Sequence, residues 1–413
     1  MLQVKKDNNI LMTRQKIVVF TKFFWPEGSG GELATYLIVR DIFARYFDAT
    51  IVSGTAKPHP SVLSGCRYVV WDVLRSRYKP LEWLKLMLNT RWVRRLVEEA
   101  DIVYIPSHTL LPLAIAIKRI KPCVRVILHL HNYQLLTYTS VILPNNAPSM
   151  KSVIIAERYE HDSITRAVAT GLLQPLNRIN VLALHYADSV ICVSRRQAEI
   201  ISNKAPQLAH KIRVVYNPLP ETPPVEEKFE NPTFTYTGGG SYVKGFHIFI
   251  QASLNVLKRK KNASFMLTGG LRGFRDHHMR LLEKLNDSLA GSFRLLGHLP
   301  YEDVLKLYSR SHAVLVPSIW EEPLPYVVME AMAMGAIPIA SRIGGIPEIV
   351  KGTYAERMMF TPGNSNEMAK RMEEVSSLSK DQLIDIGHKL REDTLKRFNN
   401  EAIISQLLSV FKA

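Results

Sequence analysis

Short apolar runs separated by segments of helix length are the feature that most restricts how this chain folds. In the first half these runs are KIVVFT, ATIVS, DIVYI, RVILHLH and SVICV, which begin at residues 16, 49, 101, 125 and 189. Their hydrophobicity is continuous rather than alternating, as in strands that are buried on both faces. The pattern therefore predicts a parallel sheet covered by helices.

The second half of the chain repeats this pattern. Strands are predicted at residues 234–237, 264–268, 313–316 and 337–340, with helices at 247–257, 279–288 and 303–309. Between the halves, residues 217–232 contain five prolines and a cluster of acids, which interrupt both periodicities. We predict two α/β domains, at residues 1–218 and 219–394, and a long helix over residues 383–411.

The composition is that of a globular protein, with 46% apolar and 22% charged residues. No apolar run approaches the roughly 18 residues of a membrane-spanning helix, and no signal-peptide core follows the charged N-terminus. Three widely spaced cysteines indicate reduced thiols rather than disulfides or a zinc site. We therefore expect a cytoplasmic protein.

The net charge of +16 is concentrated in the first domain. Residues 1–218 carry 29 Lys and Arg against 15 Asp and Glu, which gives +14, whereas residues 219–413 carry 24 against 22, which gives +2. This asymmetry indicates an anionic partner, such as a lipid headgroup, a pyrophosphate carrier or a nucleic acid. A solvated basic surface is the alternative.

Two carboxylates stand close together after the predicted strand at residues 313–316. The stretch SIWEEPLPYVVMEAMAMG, residues 318–335, places Glu322 and Glu330 eight positions apart. Open α/β sheets bind ligands at the carboxyl ends of their strands. A carboxylate accepts the two hydrogen bonds that a vicinal diol offers, and N–H groups at a helix start favour phosphate or sugar oxygens. The pattern is typical of a clamp for a nucleoside-diphosphate sugar, and two solvated acids are the alternative.

A glycine-rich turn follows one predicted strand in each domain. Residues 238–240 are all glycine and precede Lys244, while Gly30 and Gly31 precede a helix in the first domain. Such turns can cradle phosphate oxygens, although a simple hairpin is the alternative. Val243 occupies the place of the third glycine of GxGxxG, which argues against a nicotinamide cofactor. Both domains thus offer a glycine loop to one shared ligand.

The order of these motifs resembles glycosyltransferase family 4, whose members are retaining enzymes of the GT-B fold. The segment LLGHLPYEDVLKLYSRSHAVLVPSIWEEPLPYVVMEAMAMGAIPIASRIGGIPEIV, residues 295–350, resembles the donor-binding half of that family. KIRVVYNPLP, the KG at Lys244, FMLTGG and the early GSGGE occur in the family's order over almost the whole chain. The resemblance implies two facing Rossmann-like domains with a cleft between them. The first domain would bind the acceptor, the second would bind the donor, and the helix at about 395–413 would pack back on the first.

The resemblance also implies roles for individual residues. Glu330 would hold the ribose hydroxyls, Glu322 the hydroxyls of the transferred sugar, and Lys244 the leaving pyrophosphate. His131 matches the family's cleft histidine near the donor sugar. The remaining expected donor contacts come from the glycine turns, the backbone amides beside Glu322 and a basic residue, namely Gly30, Gly31, Gly239, Arg272, Leu324 and Tyr326.

One position departs from the family. Its members usually carry an arginine five or six residues before the lysine, where this chain has Gly239 and Gly238. Lysine cannot replace the bidentate geometry of that arginine, and we expect Arg272 or Arg275 to substitute. If neither does, turnover should be slow or the protein should only bind its ligand.

The sequence contains no metal-site signature. No two aspartates are spaced as DxD, and His129 with His131 would supply only two ligands, so a hydrogen-bonded core role is preferred for His129. We expect a metal-independent reaction without a cofactor, in which the nucleotide sugar is a co-substrate. The resemblance implies retention of the anomeric configuration, with the leaving phosphate taking the acceptor proton.

A basic amphipathic segment lies at residues 75–96. Between Arg75 and Arg95 there are seven basic residues and one acid, while Leu81, Leu84, Leu88, Trp92 and Leu96 recur at helical spacing. This pattern predicts peripheral contact with an anionic membrane on its inner face, and a core-packed helix with a basic outer side is the alternative. Such contact would suit a lipid-linked acceptor.

The sequence therefore predicts a glycosyltransferase that moves a sugar from a nucleotide sugar to a hydroxyl on a glycan, a lipid carrier or another acceptor. A basic nucleic-acid-binding protein on the same scaffold is the function that the pI near 9.6 suggests instead. Two more functions stay open at this point, a transferase acting on modified DNA and a sugar-nucleotide epimerase of similar fold. The residues do not identify the donor base, the sugar or the acceptor.

Overall fold

The computed structural model describes residues 14–76, 78–144, 148–269, 273–289 and 291–413. Its first lobe contains a seven-stranded parallel sheet in the order β3-β2-β1-β4-β5-β6-β7. These strands are β1 Lys16–Thr21, β2 Asp48–Ser53, β3 Arg67–Val70, β4 Ile102–Ile105, β5 Arg125–Leu130, β6 Ser189–Cys192 and β7 Ile212–Val214.

The second lobe contains a five-stranded parallel sheet in the order β10-β9-β8-β11-β12. Its strands are β8 Thr233–Tyr236, β9 Ser264–Leu267, β10 Phe293–Leu295, β11 Ala313–Val316 and β12 Ile337–Ala340. The chain passes from β7 to β8 through the proline-rich segment that the sequence suggested as the boundary.

Helices connect the strands in both lobes. Those of the first lobe are α1 Gly30–Ile38, α2 Ala44–Tyr46, α3 Lys79–Leu88, α4 Thr90–Val97, α5 Leu113–Ile120, α6 Met150–His161, α7 Ile164–Leu172, α8 Arg178–Tyr186 and α9 Arg195–Lys204. Those of the second half are α10 Phe246–Leu257, α11 Asp276–Ser288, α12 Tyr301–Arg310, α13 Tyr326–Ala333, α14 Ile346–Val350, α15 Tyr354–Arg357, α16 Ser365–Ser376, α17 Lys380–Arg397 and α18 Asn400–Lys412. In the described part of the chain, none of these helices combines the length and apolar character needed to traverse a bilayer.

Both faces of the central strands are buried, as their continuous apolar runs predict. In β1, Ile17 and Val19 belong to one apolar core, whereas Val18 and Phe20 belong to a second core on the opposite face of the sheet. The predicted parallel sheets are confirmed. The strands missed by the sequence pattern are the two edges of the first sheet, β3 and β7, and the edge strand β10. These three strands have partly exposed residues, so their apolar runs are short or absent.

The prediction of one long helix over residues 383–411 is wrong. The helix is interrupted between α17 and α18, where the Asn399 side chain accepts a hydrogen bond from the Ala402 N–H at 2.9 Å and caps α18. This break turns α18 onto the first lobe. Phe411 packs edge-to-face on Phe43 with ring centroids 4.8 Å apart, and the Arg125 guanidinium donates to the Phe411 carbonyl at 2.8 Å.

Polar contacts between the lobes fix their relative position. Arg196 at the start of α9 pairs with Glu321 of the second lobe at 2.9 Å. The Glu348 carboxylate accepts hydrogen bonds from the backbone N–H groups of Arg195 and Arg196, at 3.0 and 2.8 Å. A carboxylate at a helix N-terminus is favourable because it satisfies unpaired N–H groups there.

Candidate active site

A cavity of about 460 Å³ lies between the two lobes at the carboxyl ends of their strands. The first lobe contributes the start of α1 and the segments that follow β5, and the second lobe contributes the loops after β8 and β11. This is the location that parallel α/β sheets use for ligands. Of the predicted site residues, the cavity is lined by Gly30, Gly31, His131, Lys244, Glu322, Leu324 and Tyr326.

The Glu322 carboxylate is held by three hydrogen bonds to one of its oxygens. Its Oε1 accepts hydrogen bonds from Lys244 Nζ at 2.6 Å, Ser318 Oγ at 2.7 Å and Trp320 Nε1 at 2.8 Å. The residue is only 3% exposed. Charge-assisted bonds from a fixed set of donors hold a buried carboxylate in one orientation. The Glu322 carboxylate is therefore pre-positioned to accept hydrogen bonds from hydroxyl groups of a ligand in the cavity.

The loop that carries Glu322 is supported from behind by the Gly344–Gly345 pair after β12. The Gly345 N–H donates to the Glu322 carbonyl at 2.7 Å. Gly344 has φ of +58°, and a Cβ there would lie 2.1 Å from the same carbonyl oxygen. Only glycine adopts this conformation at this distance. These two glycines lie within the segment that resembles the family.

Lys244 lies in the loop that joins β8 to α10. Its ammonium group is 5.1 Å from the centroid of the Trp320 ring in addition to its contact with Glu322. Gly238 of the same loop lines the cavity, whereas the predicted donor-binding residue Gly239 is not among the lining residues. The Val243 N–H and the Ser241 hydroxyl both bind the Glu160 carboxylate of α6. A carboxylate of the first lobe thus occupies part of this anion-binding loop.

The start of α1 brings the two lobes together. A Cβ on Gly30 would lie 3.1 Å from the Tyr326 ring of the second lobe, and one on Gly31 would lie 3.2 Å from the His131 Cβ. Glycine at both positions permits this close approach. Neither ring nitrogen of His131 has a hydrogen-bond partner within the described chain, and burial lowers the pKa of His131 to about 4. This imidazole is neutral at pH 7 and free to bind a ligand.

Leu324 and Tyr326 stand at the turn from the Glu322 loop into α13. The prolines at 323 and 325 have no N–H, and across the described residues the N–H groups of Leu324 and Tyr326 have no hydrogen-bond acceptor. The Tyr326 hydroxyl donates to the Pro218 carbonyl at 2.8 Å and so fixes the start of α13 to the segment between the lobes. Both N–H groups are available at a helix N-terminus.

Glu330 is not among the residues that line the cavity. It is 5% exposed on α13, and its Oε1 accepts a hydrogen bond from the Tyr301 hydroxyl at 2.6 Å. Burial raises the pKa of Glu330 to about 7, and the bond from Tyr301 opposes this rise. Trp25 of the first lobe packs edge-to-face on Tyr301 with centroids 5.2 Å apart. Of the two acids that the sequence placed in one clamp, Glu322 is among the residues lining this cavity and Glu330 lies next to Tyr301.

Of the two predicted replacements for the missing arginine, the structure describes Arg275, which is not among the residues lining the cavity. Arg272 lies outside the described residues. The Arg275 guanidinium donates to the Glu160 carbonyl and lies in a separate recess. Within the described chain, Lys244 is the sole Lys or Arg lining the central cavity.

A second cavity of about 460 Å³ adjoins the first and shares Thr237, Gly238 and Lys244 with it. It extends towards Gly269 and His298, which follow β9 and β10. The second cavity is also lined by first-lobe residues, including Ala156 and Glu160 of α6, so both cavities lie between the lobes.

Sequence reasoning missed three polar side chains that orient the two acids. Ser318 and Trp320 precede Glu322 in the same loop, and their positions four and two residues before the acid are the available signal. Tyr301 is 29 residues from Glu330, and no local pattern connects them. In the described chain, no group of three His, Cys, Asp or Glu side chains is arranged to hold a metal. His129 is buried and contacts the Tyr104 hydroxyl at 2.6 Å, as expected for a core histidine.

Comparison with known proteins matches both halves of the chain to glycosyltransferases. Residues 28–221 match the family described as Glycosyltransferase Family 4, and residues 231–377 match Glycosyl transferases group 1. The chain belongs to glycosyltransferase family 4. This agrees with the resemblance that its motifs showed.

Curated relatives of this family 4 chain are distant. Spore coat protein SA of Bacillus subtilis is 26% identical over 43% of this chain and 48% of its own length. An uncharacterised glycosyltransferase of Methanocaldococcus jannaschii is 25% identical over 57% of this chain and 63% of its own length. The chain thus spans about half the length of the curated relatives it matches.

Solved structures share the whole fold. Anabaena HepE in complex with UDP has a TM-score of 0.69 at 19% identity, covering 96% of this chain and 100% of that chain. Sucrose-phosphate synthase from Thermosynechococcus elongatus has a TM-score of 0.71 at 15% identity, covering 97% and 98%. These similarities confirm the GT-B arrangement of two facing Rossmann-like domains that was predicted from the sequence.

Proposed function

We propose that the protein is a glycosyltransferase that moves a sugar from a nucleotide-diphosphate sugar to a hydroxyl acceptor. The observation that carries the proposal is the Glu322 carboxylate, held by Lys244, Ser318 and Trp320 inside a cleft between two lobes. Membership of family 4 supports it. HepE structures contain UDP and UDP-glucose, which makes a uridine nucleotide the first donor to test.

In this proposal the donor sugar lies against Glu322, whose carboxylate accepts hydrogen bonds from the sugar hydroxyls. The N–H groups of Leu324 and Tyr326 and the neutral His131 contact the sugar or the phosphates from two sides. Lys244 neutralises the pyrophosphate as it leaves, aided by the approach of Gly30, Gly31 and Gly238. The ribose contact of Glu330 requires a ligand hydroxyl to share or replace the bond from Tyr301.

We further propose that transfer needs no metal or other cofactor and retains the anomeric configuration. Among the described residues, Lys244 is the one Lys or Arg side chain lining the cavity, and we expect slow turnover if Arg272 does not supply a second counter-charge for the pyrophosphate. Turnover should persist in excess chelator. Complete loss in chelator that manganese restores would contradict metal independence, and an inverted product anomer in an NMR assay would contradict retention.

The decisive experiment is a thermal-shift screen of UDP, GDP and ADP followed by hydrolysis assays with the matching nucleotide sugars. One diphosphate should raise the unfolding temperature, and Glu322→Gln should weaken the response to its nucleotide sugar. Asp41→Asn is the matched control, because Asp41 is also buried but pairs with Arg40 of the same lobe outside the cavity. Tight binding of duplex DNA without a nucleotide response would contradict the proposal. Conversion of the donor sugar to an epimer without acceptor would contradict it as well.

The structure revises the membrane contact predicted for residues 75–96. The prediction of a single amphipathic helix is wrong, because the segment is divided at Asn89 into the two helices α3 and α4. The apolar side of α4 packs into the core through Val93 and Val97. In contrast, α3 turns Leu84 and Leu88 outward, at 52% and 75% exposure.

A second outward apolar row lies on α7, where Ile164, Val168 and Leu172 repeat every four residues. Both rows flank the loop before α6. Lys79 at the start of α3 donates to the Tyr138 carbonyl, and Gln174 after α7 donates to the Leu136 carbonyl. That loop reaches the central cavity at residues 140 and 141. We propose that these rows, with the basic side of α4, lie on an anionic membrane.

Flotation with vesicles containing anionic lipid tests this contact. Leu84→Glu with Leu88→Glu should reduce flotation, and Arg91→Glu with Arg94→Glu and Arg95→Glu should reduce it most at low salt. Leu395→Glu on α17 is the control, because Leu395 is similarly exposed on the second lobe. Equal flotation of all variants would contradict the contact.

A further inference from the structure

A carboxylate of the first lobe is bound to the loop that joins β8 to α10 in the second lobe. Glu160, in the last turn of α6, accepts hydrogen bonds from the Ser241 hydroxyl, at 2.9 Å to Oε1 and 3.1 Å to Oε2. Its Oε2 also accepts from the Val243 N–H at 3.2 Å. Glu160 and Val243 are 8% and 7% exposed, so these bonds form away from bulk water. A hydroxyl and a backbone N–H thus bind the carboxylate as they would bind an anionic ligand.

Two further contacts hold the end of α6 against the second lobe. The Tyr159 ring stacks on the Tyr242 ring of the same loop, with centroids 4.6 Å apart and an interplanar angle of 18°. The Arg275 guanidinium, at the start of α11, donates to the Glu160 backbone carbonyl. The position of α6 therefore does not depend on the Glu160 carboxylate alone. Removal of its charge should leave the helix in place.

The loop donors that Glu160 occupies belong to the same cavity as Lys244. Glu160, Ser241, Val243 and Lys244 all line the second cavity, which shares Lys244 with the central cavity. The Lys244 N–H donates to Ser241 Oγ at 3.4 Å, so one hydroxyl connects the backbone of the lysine with the Glu160 carboxylate. Hydroxyls and N–H groups of such loops are the donors that phosphate oxygens use. A diphosphate bound at Lys244 therefore meets a carboxylate on donors of its own cavity.

The place of Glu160 on its helix opposes its charge. It is the penultimate residue of α6, where the partial negative charge of the helix end disfavours a carboxylate. The hydrogen bonds from the loop offset this cost. A diphosphate carries more negative charge than a carboxylate and offers more acceptor oxygens, so it can displace Glu160 from the two donors.

We propose that Glu160 competes with the diphosphate of the nucleotide for the Ser241 hydroxyl and the Val243 N–H, and that this competition weakens retention of the nucleotide diphosphate after transfer. In the free enzyme the carboxylate occupies the two donors. Binding of the donor displaces it, and its return promotes release of the nucleotide diphosphate. The inference rests on the proposed glycosyl transfer, in which Lys244 neutralises the same diphosphate. Glu160 acts through the loop and not on the reacting atoms, so it is a positioning residue.

Isothermal titration of the wild type and Glu160→Gln tests the competition. The probes are whichever of UDP, GDP and ADP the thermal-shift screen selects, and the matching nucleoside. The amide keeps the size of the side chain but removes the charge that binds the loop donors, so Glu160→Gln should bind the nucleotide diphosphate about tenfold more tightly. The nucleoside, which has no phosphate, should bind both proteins equally. In turnover assays the nucleotide diphosphate should inhibit the variant more strongly than the wild type.

Glu157→Gln is the matched control. Glu157 lies one turn before Glu160 on α6, lines the same cavity and is 9% exposed, but it pairs with Arg166 at 3.2 Å. Its substitution removes a charge from the same cavity and should leave the affinity for the nucleotide diphosphate nearly unchanged. Ser241→Ala removes one of the two contested donors, so Glu160→Gln should gain less affinity in that background. Glu160→Ala is a second variant with the same expected gain, and thermal unfolding without ligand checks that each variant is folded.

Equal or weaker binding of the nucleotide diphosphate by Glu160→Gln and Glu160→Ala would overturn the competition, because loss of a side chain that only supports the loop weakens binding. An equal gain in Glu157→Gln would overturn it as well, since the effect would then be one of overall charge. So would a gain that Ser241→Ala leaves undiminished. Failure of the proposed glycosyl transfer is a different result, which would show as no response of the wild type to any nucleotide diphosphate or nucleotide sugar.

Discussion

Glu322 and Glu330 lie eight residues apart on one loop and helix and are buried to nearly the same degree, yet their surroundings differ. Glu322 has three donors on one oxygen, including the Lys244 ammonium group, and lines the cleft. Glu330 accepts a hydrogen bond from the neutral Tyr301 hydroxyl and lies off the cleft. Burial alone therefore does not determine how a carboxylate behaves, because compensation by charge and hydrogen bonds opposes desolvation.

The largest expected effect comes from Glu322→Gln. The amide keeps the shape but loses the charge that pairs with Lys244, so we expect turnover to fall about 10²- to 10³-fold, as when a pre-positioned electrostatic group is removed. The measurement is release of nucleotide diphosphate from the donor identified by thermal shift. Asp41→Asn, at a buried acid that pairs with Arg40 away from the cleft, should remain within a factor of about three of the wild type. A comparable loss of turnover in both variants would contradict a specific role of the cleft carboxylate Glu322 in transfer.

Glu330→Gln tests whether the raised pKa of Glu330 makes the stability of the protein depend on pH. The native state keeps the Glu330 proton up to about pH 7, whereas the unfolded state releases it near its ordinary pKa of 4.5. Stability should therefore fall as pH rises between these values, and the wild type should lose about 2 kcal/mol relative to Glu330→Gln between pH 5 and 7. Urea unfolding at several pH values measures this, with Glu392→Gln as an exposed control. Parallel stability curves for the wild type and Glu330→Gln would refute the raised pKa.

Trp320→Phe tests how much the hydrogen bond from Trp320 contributes to holding the Glu322 carboxylate. It removes one of three hydrogen bonds to Oε1 while keeping an aromatic ring near Lys244, so the affinity for the nucleotide sugar should fall about tenfold. Competition titration with the nucleotide sugar gives the value. Trp92→Phe, at a ring stacked on Trp71 away from the cavity, is the control. An unchanged affinity would show that Lys244 and Ser318 alone hold the carboxylate.

The smallest expected effect is that of Tyr301→Phe. The hydroxyl favours the ionised form of Glu330, so its removal should raise the pKa of that acid further. We expect a loss of about 1 kcal/mol in unfolding free energy at pH 8 and a smaller loss at pH 5, where Glu330 is protonated in both proteins. An equal loss at the two pH values would indicate a packing effect through Trp25 instead.

The sequence predicted the central strands and the cleft residues for local reasons. A strand buried on both faces must be apolar along its length, and a ligand loop after such a strand is visible in the same short window. β1, β11 and β12 were predicted with their observed limits, and Glu322 with Lys244 reached one cavity. The partly exposed strands β3, β7 and β10 and the helix breaks at Asn89 and Asn399 were not predicted, because partial exposure and single boundary residues leave weak patterns.

What the sequence by itself determined is the alternation of buried strands and helices, the proline-rich division near residue 218, and the identity of the acids, the lysine and the glycines. Only the tertiary structure decided what each of these groups touches. Lys244 is 78 residues from Glu322, and Tyr301 approaches Glu330 from another helix. The outward leucines of α3 show the same dependence. Charge, protonation and exposure depend on neighbours that packing brings together over long chain separations, and residue type does not contain that information.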